Sequence, residues 1–207
     1  VLIDDGYLTN RRTVAAGILV VEPFSNNKTP KIGSKLTGTI SKMQIQQLKQ
    51  AQLGNTYWIW GRNRTKAEEL KTALGNDFDI RLPASCKELA QNCNTIITTT
   101  PSESPLLQGD DIKKGTLIVA IGSDTQCKQE LSSNIIRKAD LVIVDSIPQS
   151  KSRGEVYQAV KAGAITENQV VELGKALQET QDLKNNTEQI TIVDLTGVAV
   201  QDIMIAS

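Results

Sequence analysis

Three short runs leave this chain little choice of fold: residues 95–100 (TIITTT), 117–121 (LIVAI) and 141–145 (LVIVD). Each is continuously apolar or β-branched and is stopped by Gly, Pro or a polar cluster. A strand with one wet face alternates polar with apolar residues; an unbroken apolar run needs cover on both faces. Such strands belong to parallel sheets, and the segments between them carry helical patterns, as crossover connections require. The expected class is α/β, a doubly wound and mainly parallel sheet.

In chain order, residues 2–6 read as a strand end running into a turn. Thr9 opens a helix to about Val21, with Arg11 and Arg12 in its first turn. Cations there oppose the helix dipole, so the pair is either solvated or holds a carboxylate or phosphate. Residues 23–35 are polar and read as a loop. A helix with Ile40, Met43, Leu48 and Ala51 on one face follows, closed by Gly54. Strands over 57–60, 79–82, 95–100, 116–121, 141–145 and 190–193 then alternate with helices. Capping boxes at Thr65/Glu68, Ser85/Glu88 and Thr166/Gln169 open three of these, the last running to about 178. Further helices are expected over 128–138, 155–161 and 197–206, with a polar linker over 182–188.

Composition removes several chemistries. The chain has no histidine among its 207 residues, which excludes Ser-His-Asp and Cys-His nucleophiles and histidine metal sites. Its three cysteines form no CxxC, so no metal ligand set is expected. Cys127 beside Lys128 is either a thiol of lowered pKa or small-residue filler. Lys plus Arg and Asp plus Glu both number 23, so no net field draws the chain to nucleic acid or an anionic membrane. No apolar run approaches the roughly 20 residues of a membrane span. The default expectation is a cytoplasmic protein whose chemistry rests on carboxylates, Lys, Arg, Ser/Thr and a borrowed cofactor.

Asp124 follows the strand 116–121 directly, with Lys128 four residues on. Ligands of open α/β sheets lie just past the carboxyl ends of strands. Asp124 either serves such a site or caps a helix beginning near Lys128. The turn that would cradle a dinucleotide pyrophosphate is residues 36–41 (LTGTIS). It matches GxGxxG/A only at Gly38, with Leu36 in place of the first Gly and Ser41 small enough for close helix–strand packing. Residues 31–35 (KIGSK) read as too polar for a central strand. The second strand ends Trp60-Gly61-Arg62-Asn63-Arg64 without the acid that holds the ribose hydroxyls of NAD. That leans towards NADP, towards NAD held differently, or towards a solvated loop.

Eight collinear segments resemble the ornithine cyclodeaminase/mu-crystallin family: GYLTNRRTVAAG (6–17), ISKMQIQQL (40–48), WGRNRTKAEEL (60–70), TIITTTPSESPLL (95–107), AIGSDTQCKQEL (120–131), ADLVIVDS (139–146), RGE (153–155) and DLTGVAVQD (194–202). The resemblance implies a Rossmann-type NAD(P)-binding domain over 23–180. Residues 1–22 and 181–207 would be strips of a second domain that supplies the dimer interface and much of the substrate pocket. It implies a homodimer acting on a small amino or imino acid with NAD or NADP. Asp124 matches the acid/base aspartate, Lys128 the lysine near the nicotinamide, and Arg12 the arginine that binds the substrate carboxylate. Thr39 and Ile40, with Gly38, fall on the pyrophosphate turn; Arg62 and Asn63 fall at the ribose end. Thr100, Ile118, Val119 and Ala120 would line the cofactor groove, and Thr196 would approach the nicotinamide.

The chain departs from the family pattern in two places. Gln126-Cys127 stands where the family has Pro-Gly, and Lys35-Leu36 replaces the start of the glycine-rich turn. The family's N-terminal pocket segment has no counterpart in residues 1–207, so a fragment or a short protein is expected. The implied activity is deaminating cyclisation of L-ornithine to L-proline. The alternatives are a ketimine or imino-acid reductase, an alanine-type dehydrogenase, or a non-catalytic relative.

Overall fold

The apolar runs lie side by side in the computed structural model, which describes residues 5–26, 30–35, 37–183 and 186–206. The elements are α1 (Asp5–Leu19), α2 (Val21–Phe24), β1 (Lys31–Lys35), α3 (Thr39–Gln50), β2 (Thr56–Ile59), α4 (Arg64–Leu74), β3 (Asp79–Arg81), α5 (Cys86–Asn92), β4 (Thr95–Thr98), β5 (Leu117–Ala120), α6 (Ser133–Lys138), β6 (Leu141–Val144), α7 (Ile147–Ser150), α8 (Glu155–Lys161), a 3-10 turn (Glu167–Gln169), β7 (Val170–Glu172), α9 (Leu173–Gln178), α10 (Thr180–Leu183), β8 (Thr191–Asp194) and α11 (Ala199–Ala206). The strands form one sheet in the order β3-β2-β1-β4-β5-β8-β6-β7, parallel throughout. β4, β5, β6 and β8 are buried along their whole length, as unbroken apolar runs require.

Successive side chains of each strand feed two cores, one on each face. Val119, Ile143 and Val193 join Ile45, Leu48, Leu70 and Ala176 on one side. Ile118, Val142 and Ile192 join Leu89, Ile135, Ile136 and Val156 on the other. This is the doubly wound Rossmann-type α/β fold. The chain leaves β1 on one side through β2 and β3, then returns to β4 on the other. The switch point between β1 and β4 is where such sheets open a crevice at their carboxyl edge.

Several local expectations are corrected. Residues 31–35 form a central strand, β1, with four of its five residues buried. Two of its polar side chains are held by neighbours: Ser34 and Ser41 share a hydroxyl–hydroxyl hydrogen bond, and the Lys35 ammonium lies 5.6 Å from the Trp60 ring centroid, with the Cys86 thiol beside it. Gly33 lets α5 close on the strand, since a Cβ there would meet Leu89 Cδ2 at 2.5 Å. α1 begins by Asp5, so Arg11 and Arg12 sit in mid-helix rather than its first turn. The buried face of α3 is Ser41, Gln44, Ile45 and Leu48, rotated from the expected stripe.

The helix expected from Lys128 starts only at Ser133; Glu130 is wholly buried instead, with its backbone N–H donating to Glu155. Asp124 therefore caps no helix. α4 is capped by Asn63, whose side chain accepts from Lys66 N, and not by Thr65. The Thr166/Gln169 box closes a 3-10 turn leading into β7. Of the strand end and turn expected over residues 2–6, residues 2–4 lie outside the described residues, as does the Leu36 turn position, and residues 5 and 6 already belong to α1. Among the described residues, no helix is long and apolar enough to cross a membrane.

Candidate active site at the carboxyl edge of the sheet

The ends of β1, β2 and β4 enclose a groove of about 220 Å³ at the switch point, lined by Lys35, Trp60, Arg62, Lys66, Thr100 and Pro101 among others. α3 begins beside it. Its N-cap, Gly38, gives no side-chain hydrogen bond, and its first turn holds no acid. The leading N–H groups of this 12-residue helix are therefore open to an anion. Gly38 and Thr39 are exposed and Ile40 is half-buried, so the turn presents backbone outward.

Further along the same edge, Asp124 follows β5 and forms an ion pair with Lys128, Nζ to Oδ1 at 2.6 Å. The Asp124 side chain is 55% exposed and that of Lys128 26%, so the pair faces open space from a supported base. β8 runs beside β5, and Leu195 N donates to Ala120 O at 2.8 Å, which sets Thr196 and Gly197 level with the start of the Asp124 loop.

Both residues are tied down from the neighbouring strand. Thr196 Oγ1 donates to Asp145 Oδ1 at 3.1 Å and Gly197 N to Asp145 Oδ2 at 2.7 Å. Arg12 reaches this corner from α1. Its Nε lies 3.3 Å from Asp202 Oδ1, and its guanidinium packs so closely on Gly197 that a Cβ there would meet Nη1 at 2.3 Å.

Beneath the edge lies a group of buried carboxylates. Glu130 accepts from Thr98 Oγ1 at 2.8 Å, Thr100 N at 2.6 Å and Gly122 N at 2.9 Å, which clamps the ends of β4 and β5 together. Glu155 accepts from the Ser123 hydroxyl, from Glu130 N at 2.7 Å and from Leu131 N at 3.0 Å, which anchors both ends of the loop carrying Asp124 and Lys128. Asp194 accepts from Val156 N at 2.9 Å. Burial pushes Glu130, Asp145 and Asp194 above the usual carboxylate range, and for Asp194 the nearby Glu155 adds to it. Burial likewise raises Glu155 to about 7, against the hydrogen bonds it accepts.

A carboxyl whose folded-state pKa is raised binds its proton more tightly in the native chain than in the unfolded one. The native chain thus holds the extra Glu155 proton between the ordinary carboxylate range, about 4.3, and about 7. Stability is expected to fall as pH rises through that window, by up to about 1.4 kcal/mol per pH unit for one proton. Urea midpoints from pH 4.5 to 8 check this, and Glu155→Gln should flatten the slope.

Arg62, Asn63 and Thr100 line the groove, Gly38, Thr39 and Ile40 stand at the start of α3 without lining it, and Asp124, Lys128, Arg12 and Thr196 lie around the ends of β5 and β8. Ile118, Val119 and Ala120 are different: all three are buried within β5 and divided between the two cores, so their side chains support the edge rather than line the groove. Sequence reasoning missed Lys35, Lys66, Glu130, Glu155 and Asp194. Asp194 ends an apolar strand (TIVD), the one pattern among them that pointed inward.

The sequence profile of the ornithine cyclodeaminase/mu-crystallin family matches residues 1–207. The chain belongs to that family. It is 32% identical over 209 residues to the alanine dehydrogenase of Archaeoglobus fulgidus, a match covering 99% of this chain and 63% of that protein. It is 31% identical over 202 residues to the iminosuccinate reductase of Paracoccus denitrificans, covering 96% of this chain and 62% of that protein. The crystal structure of that reductase with NAD+ superposes with a TM-score of 0.85 at 30% identity, covering 98% of this chain and 62% of the other. A dimeric archaeal alanine dehydrogenase with bound NAD superposes at 0.86 with 28% identity, covering 98% and 63%. The chain thus spans somewhat under two thirds of the length of these relatives.

Proposed function

We propose that this chain is the dinucleotide-binding part of an NAD(P)-dependent enzyme that interconverts small amino and imino acids. The observation that carries the reading is the Asp124–Lys128 pair, held at 2.6 Å on the carboxyl edge beside β8. Three features fit the dinucleotide: the uncapped start of α3, the cation-lined groove at the switch point, and the buried Lys35 Nζ, whose one polar neighbour is the weakly accepting Cys86 thiol. Gly38, Thr39 and Ile40 would hold the pyrophosphate, Arg62 and Asn63 the ribose end, and Thr196 the nicotinamide side. The bound nicotinamide supplies hydride transfer at the substrate carbon.

The chain's own residues do the rest. Asp124 takes a proton from the substrate amine and returns one, which its exposed position permits. Lys128 holds the Asp124 carboxylate in place and keeps a positive charge beside it. Arg12, released from Asp202, would pair with the substrate carboxylate through its planar fork.

The finer alternatives are net reduction of an imino acid, net oxidation of an amino acid, and cyclisation of L-ornithine to L-proline with loss of ammonia. Similarity to a dehydrogenase and a reductase at 31–32% identity supports the first two. Exposed apolar residues Tyr7 and Leu19 on α1, and Val200 and Ile203 on α11, support a homodimer or second-domain surface there. The test is an assay of the purified protein with NAD(P)(H) and candidate amino and imino acids. Oxidation of NAD(P)H by a cyclic or open imino acid supports the reductase reading. Ammonia from L-ornithine without net dinucleotide turnover supports cyclisation. Saturable dinucleotide binding without either reaction would overturn the catalytic reading.

A further inference from the structure

The end of β1 and the start of α5 bring an amine and a thiol together. α5 leads into β4, which pairs parallel with β1, so this crossover helix begins at the carboxyl edge of the sheet. It packs on β1 where Gly33 leaves room, since a Cβ there would meet Leu89 Cδ2 at 2.5 Å. Lys35 lies two residues beyond Gly33, on the same face of the strand. Cys86 lies three before Leu89, on the same face of the helix. That register sets the Lys35 side chain against the Cys86 thiol, with the Trp60 ring 5.6 Å from Nζ.

Lys35 is 1% exposed, and among the described residues no oxygen accepts from its ammonium. Glu130 acts on it only from a distance and uses its oxygens for Thr98, Thr100 and Gly122. Burial lowers the Lys35 pKa, which favours the neutral and nucleophilic amine. Cys86 is half-buried and unbridged. Burial holds its thiol above the ordinary pKa, Lys35 pulls it down, and Asp111 adds a smaller upward push. The other two thiols lack such a neighbour. Cys93 is wholly buried, which pushes its thiol up to about 12. Cys127 is exposed, and the ammonium beside it in sequence, Lys128, is taken by Asp124 at 2.6 Å.

We propose that Cys86 and Lys35 form a reversible covalent link under hydrogen peroxide, and that closing it weakens dinucleotide binding. The Cys86 sulfur attacks peroxide, giving a sulfenic acid and one water. The Lys35 amine then bonds to that sulfur, the hydroxyl leaves with an amine proton as a second water, and an S–N bond remains. Sulfur loses two electrons and the peroxide gains two. A dithiol reverses the step: one of its thiols attacks the sulfur and releases the amine, and the second displaces Cys86 as a free thiol. Closing the link removes an ammonium from the groove that Lys35 lines. The effect on binding rests on the dinucleotide reading above; the bond itself does not.

The experiment is mass spectrometry of the chain after hydrogen peroxide treatment. The intact mass should fall by about 2 Da, the two hydrogens lost in forming the bond, and dithiothreitol should restore it. Trypsin should release residues 32–42 joined to residues 82–87, because a linked Lys35 is no longer cleaved. Cys86→Ser should abolish the mass loss, and Lys35→Arg should leave Cys86 as a sulfenic acid that dimedone traps. Should Lys35→Arg fail to fold, the peptide map of the unaltered chain decides alone. A disulfide to Cys93 or Cys127, or oxidised Cys86 with no linked peptide, would overturn the site. The Kd for NADH should rise about tenfold on oxidation, the scale of one charge-assisted contact, and recover on reduction. Unchanged affinity with the bond formed would overturn the effect on binding. A reduced chain that binds no dinucleotide would overturn the dinucleotide reading and that effect with it, leaving the bond standing.

Discussion

Asp124→Asn is expected to lower turnover by about 10²- to 10⁴-fold, the range lost with a positioned acid–base group. The amide keeps the size of the carboxyl and its reach towards Lys128, but it takes up no proton. Because the side chain is 55% exposed and, among the described residues, ion-paired to Lys128 alone, the fold should not notice the change. The thermal midpoint should stay within about a degree or two, since surface substitutions commonly fall within about 0.5 kcal/mol. Dinucleotide affinity should also hold, because Asp124 is not among the residues that line the groove at the switch point. Stopped-flow measurement of hydride transfer on the preformed complex isolates the chemical step. An unchanged rate there would remove Asp124 from the chemistry.

Glu130→Ala should produce the largest loss of stability, about 3–5 kcal/mol, a large share of the 5–15 kcal/mol that holds a domain together. Glu130 is wholly buried, and its two oxygens satisfy the Thr98 hydroxyl and the backbone N–H groups of Thr100 and Gly122. Alanine would leave all three donors without a partner at a site where water enters poorly. Each orphaned donor costs about 1–3 kcal/mol. Thr98→Val removes a single donor and leaves the clamp, so it should cost only about 1 kcal/mol. Urea midpoints of the two variants give the comparison. A loss under about 1 kcal/mol for Glu130→Ala would mean that the strand ends hold together without the carboxylate. The clamp is also close-fitting: a Cβ at Gly122 would stand 2.2 Å from Thr100 O, so the two strand ends leave no room for slack.

The elements legible in the sequence were those whose burial is written in a continuous run. LIVAI and LVIVD can only be covered strands, and both lie inside the sheet rather than at an edge. β1 was hidden because KIGSK looks solvated until partners elsewhere are known: Ser41 for Ser34, the Trp60 ring for Lys35. β7 was hidden because three residues after a capping signal read as the helix the signal announces. The same holds at the site. Asp124 was visible from its position after a strand. Glu130 and Glu155 were not: a lone acid between Gln129 and Leu131, or between Gly154 and Val156, carries no local sign of burial. Their burial comes from the approach of α8 to the loop after β5, a tertiary event with no local signature.

Titration with NADPH and NADH, read as energy transfer from Trp58 and Trp60 to the dihydronicotinamide, decides whether the carboxyl edge is a dinucleotide site. Trp60 lines the groove, so a bound dinucleotide should quench tryptophan emission and sensitise its own. Saturable transfer is expected with at least one of the two dinucleotides. No transfer at millimolar ligand, with the chain folded, would contradict it: the carboxyl edge would then be no dinucleotide site, and Asp124 would have no cofactor to work beside.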